Sequence, residues 1–101
     1  MSDLELEFQR GMMRVYETAR QRGYTPTYFK QMLDTYGGVE AAKRLLAAET
    51  IQSGLQKLWE LQLLGHSMEA LVTQEHFHPL FTEAEMAEAR RRLEELGYFK
   101  R

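Results

Sequence analysis

The chain has 101 residues, 44% of them apolar and 28% charged, a balance typical of one folded domain rather than a disordered chain. Thirteen lysines and arginines stand against fifteen acidic residues, and the net charge of −2 argues against a protein that coats nucleic acid. No cysteine is present, which excludes disulfides, thiolate zinc sites and a cysteine nucleophile. The N-terminus lacks the apolar stretch of a signal peptide, and no apolar run approaches the roughly 20 residues of a membrane span. We therefore expect a cytoplasmic protein without membrane contact.

Apolar residues recur at spacings of three and four along most of the chain, and this period predicts α-helices. Capping boxes formed by Ser2 with Glu5 and by Thr82 with Glu85 mark two helix starts, and Gly23 marks a helix end. No segment alternates like a half-buried strand. The sequence therefore predicts an all-α fold, a compact bundle of five or six short helices that forms a single domain over residues 1–101. The predicted helices cover residues 3–22, 26–36, 39–48, 53–64, 67–74 and 83–96.

The residues that could perform catalysis have structural explanations. The three serines precede predicted helices, where a hydroxyl caps the first turn. Paired carboxylates such as Glu83 and Glu85 lie in a first turn, where negative charge favours the helix dipole. The glycine pair at 37–38 is not followed by the Lys-Ser/Thr of a phosphate-binding loop. We therefore expect no enzyme, no catalytic residue and no cofactor.

The histidines at 76 and 78 are the strongest candidates for a metal site. Glu75 adjoins them and His66 lies ten residues earlier, but the spacing of a four-ligand site is missing. The sequence therefore predicts no metal, with Phe77 packed inward and the imidazoles of His76 and His78 facing water.

Large apolar side chains exceed what so small a core requires, which favours a protein-binding surface. The helical stripes predict that Phe29, Met32, Tyr36 and Trp59 are buried, whereas Leu63 and several other large side chains fall outside those stripes. From these we predict a surface for another protein or a second copy of this chain, formed by Leu6, Arg10, Met13, Tyr24, Tyr28, Tyr98 and Phe99.

A nucleic-acid-binding accessory is the alternative. Residues 25–48 read as two helices joined by a tight glycine turn, as in a helix-turn-helix. The phosphate contacts of such a nucleic-acid-binding protein would come from the basic residues Lys43, Arg44, Arg90, Arg91 and Arg92. The same hairpin is also a common packing unit, and Glu88, Glu94 and Glu95 balance the arginine run.

Three strings of the chain carry a resemblance to a known family. They are G-Y-x-P-x-x-F-x-x-M-L at 23–33, G-G-V-x-A-A-x-x-L-L at 37–46 and L-F-T-x-x-E at 80–85. With S-G-L-x-x-L-W-E-L at 53–61 and S-M-E-A-L-V at 67–72, the chain resembles a widespread bacterial family of short, uncharacterised all-helical proteins over residues 8–98. Residues 63–66 differ from the more polar turn of that family.

The resemblance implies a helical fold and a bacterial or phage source. Such domains occur alone or attached to larger proteins, some of them linked to DNA processing or defence, and the resemblance supplies no catalytic residue. Together with the residue patterns, it leads us to expect a non-catalytic helical protein-interaction module that is accessory to a larger bacterial or phage assembly.

Overall fold

The computed structural model describes residues 2–48 and 53–99, and these contain helices but no strand. The structure confirms an all-α, single-domain bundle. Its α-helices are α1 (Asp3–Gln21), α2 (Thr27–Tyr36), α3 (Gly38–Ala47), α4 (Ser53–Glu60), α5 (Met68–Val72) and α6 (Glu83–Glu95). Two 3-10 helices, Leu64–His66 and Glu75–Leu80, flank α5.

Helix α1 is central to the core because one of its faces is entirely apolar. Phe8, Met12, Val15 and Ala19 are buried along that face, which packs against α2, α3, α5 and the second 3-10 helix. The ring of Phe8 contacts Phe77 and Phe81 edge-on, with centroid distances of 5.2 and 5.0 Å. The aromatic segment before α6 is thereby fixed to the first helix.

Both predicted capping boxes are present. The hydroxyl of Ser2 accepts from the Glu5 amide at 3.2 Å, and the hydroxyl of Thr82 accepts from the Glu85 amide at 3.1 Å. In each box the glutamate carboxylate accepts in return from the amide of the capping residue. These bonds satisfy amides that have no partner inside the helix, so the starts of α1 and α6 are fixed locally.

Helix α4 ends at Glu60, so the predicted extension to residue 64 is wrong. The Leu63 amide donates to the Leu58 carbonyl at 2.7 Å and the Gln62 amide to the Trp59 carbonyl at 3.0 Å, which is a Schellman motif. Gln62 takes the left-handed conformation (φ 61°) that glycine usually supplies, and so the sequence carried no obvious stop signal. The turn directs Leu63 into the core, although the sequence placed it outside the buried stripes.

Two aromatic side chains that were predicted to be buried are exposed. Trp59 is 48% exposed because α4 buries Leu55 and Leu58, and the next residue is rotated by about 100° around the helix axis. Tyr36 is 41% exposed at the end of α2, where the Arg44 guanidinium stacks on its ring at 4.0 Å. Both rings are therefore available on the surface.

Arg92 is buried, with 6% of its surface exposed, and therefore does not belong to the nucleic-acid-binding set in which the sequence placed it. Its Nη2 donates to the carbonyls of Leu45, Leu46 and Ala48 at the end of α3, at 3.1 to 3.2 Å. Its other nitrogens donate to Glu69 Oε2 at 3.2 Å and to Glu88 Oε2 at 2.6 Å. One guanidinium thus joins α6 to α3 and α5.

We expect R92A to lower the free energy of unfolding by about 3–5 kcal/mol, because Glu69 would be left buried without its cation. R92K keeps the charge but not the planar fork of donors, so we expect an intermediate loss. The exposed Arg90 provides the matched control, and R90A should cost less than about 0.5 kcal/mol. Urea denaturation measures all three, and equal values for R92A and R90A would contradict this assignment.

The contact between α1 and α3 depends on Gly38. A Cβ at this position would lie 2.7 Å from the Gln9 Cα, whereas a Cβ at Gly11 would lie 2.9 Å from the terminal Leu71 Cδ2. A backbone atom cannot move aside as a side-chain methyl can. G38A should therefore lower the free energy of unfolding by about 1–3 kcal/mol, and G11A should lower it clearly less. Thermal unfolding of the two variants compares them, and a larger loss for G11A would refute the explanation.

Candidate binding site

A cavity of about 400 Å³ lies where five helices meet. Its walls come from the second half of α1, the turn before α2, the start of α2, the end of α3 and the starts of α4 and α5. Most of the described lining is apolar or aromatic, and its charged members are Glu69 and Arg44. The lining residues are Val15, Ala19, Tyr24, Pro26, Tyr28, Phe29, Arg44, Leu45, Ala48, Gly54, Leu55, Leu58, Met68 and Glu69.

The turn after α1 places Tyr24 in the cavity wall. Gly23 takes a positive φ of 89°, and the Tyr24 amide donates back to the Ala19 carbonyl at 3.0 Å. A Cβ at Gly54 would lie 3.1 Å from the Tyr24 hydroxyl, so the glycine at the start of α4 leaves room for that group. Burial raises the pKa of Tyr24 above its ordinary value. The phenol thus presents a neutral hydroxyl to the cavity.

Tyr28 stands at the mouth of the cavity. It is 65% exposed, more than any other large hydrophobic side chain in the described ranges. The next residue, Phe29, also lines the cavity but packs partly against the core. The first turn of α2 therefore presents one ring to solvent and one to the interior, side by side.

Glu69 is the buried acid of the site, with 4% of its surface exposed. It lies in the first turn of α5, whose start is fixed because the Ser67 hydroxyl accepts from the Ala70 amide at 3.1 Å. Burial raises the pKa of Glu69, and the Arg92 guanidinium opposes that effect. The carboxylate thus stands in an apolar environment that disfavours its charged form.

Glu88 differs from Glu69 because its pKa is lowered rather than raised. Hydrogen bonds from Arg91 and then from Arg92 lower its pKa to about 2. Arg91 in turn contacts Glu95 at 2.6 Å. This surface half of the network is well paired, in contrast with the buried Glu69.

The structure divides the predicted protein-binding surface into three groups. Tyr24 and Tyr28 line the cavity, and the other five residues do not. Tyr98 and Phe99 contact each other edge-on at 5.1 Å after α6. The group of Leu6, Arg10 and Met13 is exposed on α1, on the side away from its buried stripe.

Four of the five predicted nucleic-acid contacts lie outside the core, each near an acidic or aromatic partner. Lys43 Nζ lies 2.8 Å from Glu85, Arg44 Nε lies 3.1 Å from Glu40, and Arg91 is bound to Glu88 and Glu95. The Arg90 guanidinium lies 5.0 Å from the centre of the Phe99 ring. Arg92 is the buried exception described above.

The histidine segment forms the second 3-10 helix. Phe77 packs inward as predicted, and His76 is exposed with its Nε2 2.7 Å from Glu7 Oε2. His78 does not face water freely, because it is half-buried and its Nε2 lies 3.2 Å from the Thr73 carbonyl oxygen. Within residues 2–48 and 53–99, no three histidine, aspartate or glutamate side chains form a group that could hold a metal ion.

Sequence reasoning missed Glu69, the one acidic residue in the described lining of the cavity. The signal was present, because Glu69 is the single charged residue of the otherwise apolar string Met68–Val72. A charge within such a run requires a buried partner. That partner, Arg92, lies 23 residues further along the chain and was assigned to the surface.

Comparison with protein-family models, curated proteins and solved structures found no match for this chain. Among the described helices, none is both long and apolar enough to cross a bilayer.

The lowered pKa of Glu88 predicts how stability depends on pH. Its charged form stabilises the fold above pH 4.5, and this contribution is lost as the pH falls to about 2. E88Q should therefore be less stable than the unmodified protein by about 1–3 kcal/mol at pH 7. The difference should shrink as the pH falls from 4.5 toward 2, which urea denaturation at several pH values would show. E94Q, an exposed change on the same helix, is the control, and a constant difference for E88Q would contradict the assignment.

Proposed function

We propose that this protein is a non-catalytic helical interaction module whose cavity receives a side chain of a partner protein. The supporting observation is the pairing of an open, largely apolar cavity with the exposed ring of Tyr28 at its mouth. A volume of about 400 Å³ falls in the range of sites that bind small molecules or anchor residues. Tyrosine at the edge of a pocket is a frequent hot spot of protein interfaces.

The distribution of charge supports an interaction role. The side chains of Lys43, Arg44 and Arg91 lie within 3.1 Å of carboxylates, so phosphate binding by these residues would first require breaking an ion pair. The exposed rings of Trp59 and Tyr36 add to the apolar surface available to a protein. The α1 surface of Leu6, Arg10 and Met13 is proposed as a second, separate contact.

The resemblance to short bacterial helical proteins is retained as part of the proposal. It supports a bacterial or phage source and a role as an accessory to a larger assembly. The absence of cysteine accords with the reducing cytoplasm, where we propose that the protein acts.

Affinity capture from a bacterial lysate tests the cavity as the binding site, with each captured protein then purified and titrated. Y28A removes the ring at the mouth and should weaken a genuine partner about tenfold or more. Q31A truncates an exposed side chain of the same helix, α2, outside the described lining of the cavity, and should bind normally. An equal loss of affinity in both variants would count against the cavity as the binding site. If no protein is enriched over capture by an unrelated bait, the interaction module itself is contradicted.

The nucleic-acid alternative has its own measurement. Titration with a generic DNA duplex at low and moderate salt would reveal phosphate contacts as a steep loss of affinity with salt. If such binding occurs and disappears in an R90E/R91E double variant, the accessory role on nucleic acid replaces the one proposed here.

A further inference from the structure

We propose that the cavity is selective for a lysine side chain of the partner protein, whose ammonium group binds at Glu69 after its stem passes the aromatic wall. This inference rests on the proposed function and specifies the chemistry of the partner at the same site. Three observations support it. Glu69 is buried and lines the cavity, and the described carboxylates around it outnumber the guanidinium groups that contact them. Aromatic rings line the same cavity.

The buried acid is placed where an incoming group can meet it. Glu69 is 4% exposed in the folded chain, yet it lines the cavity together with its neighbour Met68. Its Oε2 accepts from Arg92 at 3.2 Å. Leu45 and Ala48, whose carbonyls the same guanidinium holds, are also lining residues. Glu69 therefore lies in the wall of the cavity, and Arg92 holds it there from outside the lining.

In the part of the chain that the structure describes, the carboxylates around this acid outnumber the guanidinium groups that contact them. Arg92 contacts two carboxylates, and its distance to Glu88, 2.6 Å, is shorter than its distance to Glu69, 3.2 Å. Arg91 also contacts two, Glu88 and Glu95. Among the described residues, two guanidinium groups thus serve three carboxylates. Because Glu69 is the most buried of the three, a second cation in the cavity would stabilise it most.

Arg44, the other charged residue of the described lining, does not remove the preference for a cation. The guanidinium of Arg44 lies over the ring of Tyr36 at 4.0 Å, and its Nε is bound to Glu40 at 3.1 Å. Arg44 therefore already has an acidic partner of its own on α3. Glu69 therefore remains the acidic group that an incoming cation would meet in the described lining.

The walls suit the stem of a lysine. Tyr24, Tyr28 and Phe29 line the cavity, and aromatic faces attract cations as well as methylene groups. A lysine carries its charge on a flexible stem of four carbons, which can cross the apolar part of the cavity before the ammonium group meets the acid. A neutral apolar side chain would fill the same space but leave Glu69 without a second cation.

Titration of the isotope-labelled full chain with two small probes tests this selectivity by NMR. The probes are n-butylammonium chloride and the neutral 1-butanol, which share a four-carbon stem and differ in charge. We expect the ammonium probe to bind about tenfold more tightly, because it makes a charge-assisted hydrogen bond that the alcohol cannot match. The amides of Tyr28, Leu58 and Glu69 should report both titrations.

Two variants distinguish an effect of the buried Glu69 from an effect of the protein's overall negative charge. E69Q keeps an oxygen that can accept from Arg92, and it should lower the affinity for butylammonium about tenfold without changing that for butanol. E60Q removes an exposed carboxylate from α4 and should change neither. If E69Q does not fold, the comparison of the two probes on the unmodified protein and on Y28A still decides the question.

The outcomes distinguish this inference from the proposed function. Equal affinity for the two probes, or an E69Q variant that binds butylammonium normally, would overturn the lysine selectivity. The interaction module would still stand if capture depended on Tyr28. Conversely, selective binding of butylammonium at Glu69 would support the inference even if no captured partner were found.

Discussion

A single buried guanidinium joins three helices of this bundle, α3, α5 and α6. Arg92 of α6 donates to three carbonyls at the end of α3 and to carboxylates on α5 and on its own helix. Carbonyls at a helix end lack internal partners, and a buried cation is stable only if such acceptors surround it. The two requirements are met together, and this fixes the end of α3 relative to the first turn of α5.

That junction also shapes the cavity. Leu45 and Ala48 from the end of α3 and Glu69 from the start of α5 line it, so the groups that Arg92 positions are the ones a ligand would meet. Glu69 contributes to stability through its pairing with Arg92 and, in our proposal, to recognition through its position in the cavity. Burial raises its pKa because the charged form is removed from water, and a cationic ligand would favour that form as Arg92 does.

The exposed side chains follow a different pattern. Arg20, Lys30 and Arg44 each pair with an acid three or four residues away on the same helix, an arrangement that contributes little to stability and leaves the rings as the distinctive surface features. Tyr28 and Trp59 are 65% and 48% exposed, and the core does not need them. A surface of this kind favours association with another protein through a few large side chains.

The sequence by itself determined where several helices begin and end, because capping boxes and the glycine turn at Gly23 involve residues only a few positions apart. It also indicated Tyr24 and Tyr28 as contact residues, since both fall outside the buried stripes. It did not show that Arg92 is buried while Arg90 and Arg91 are not. Adjacent helix positions are rotated by about 100°, and which of them faces the core depends on partners 23 to 47 positions away. Glu69 is held in the cavity wall by Arg92 only when α3, α5 and α6 pack together, and the chemistry we propose for the cavity depends on that arrangement.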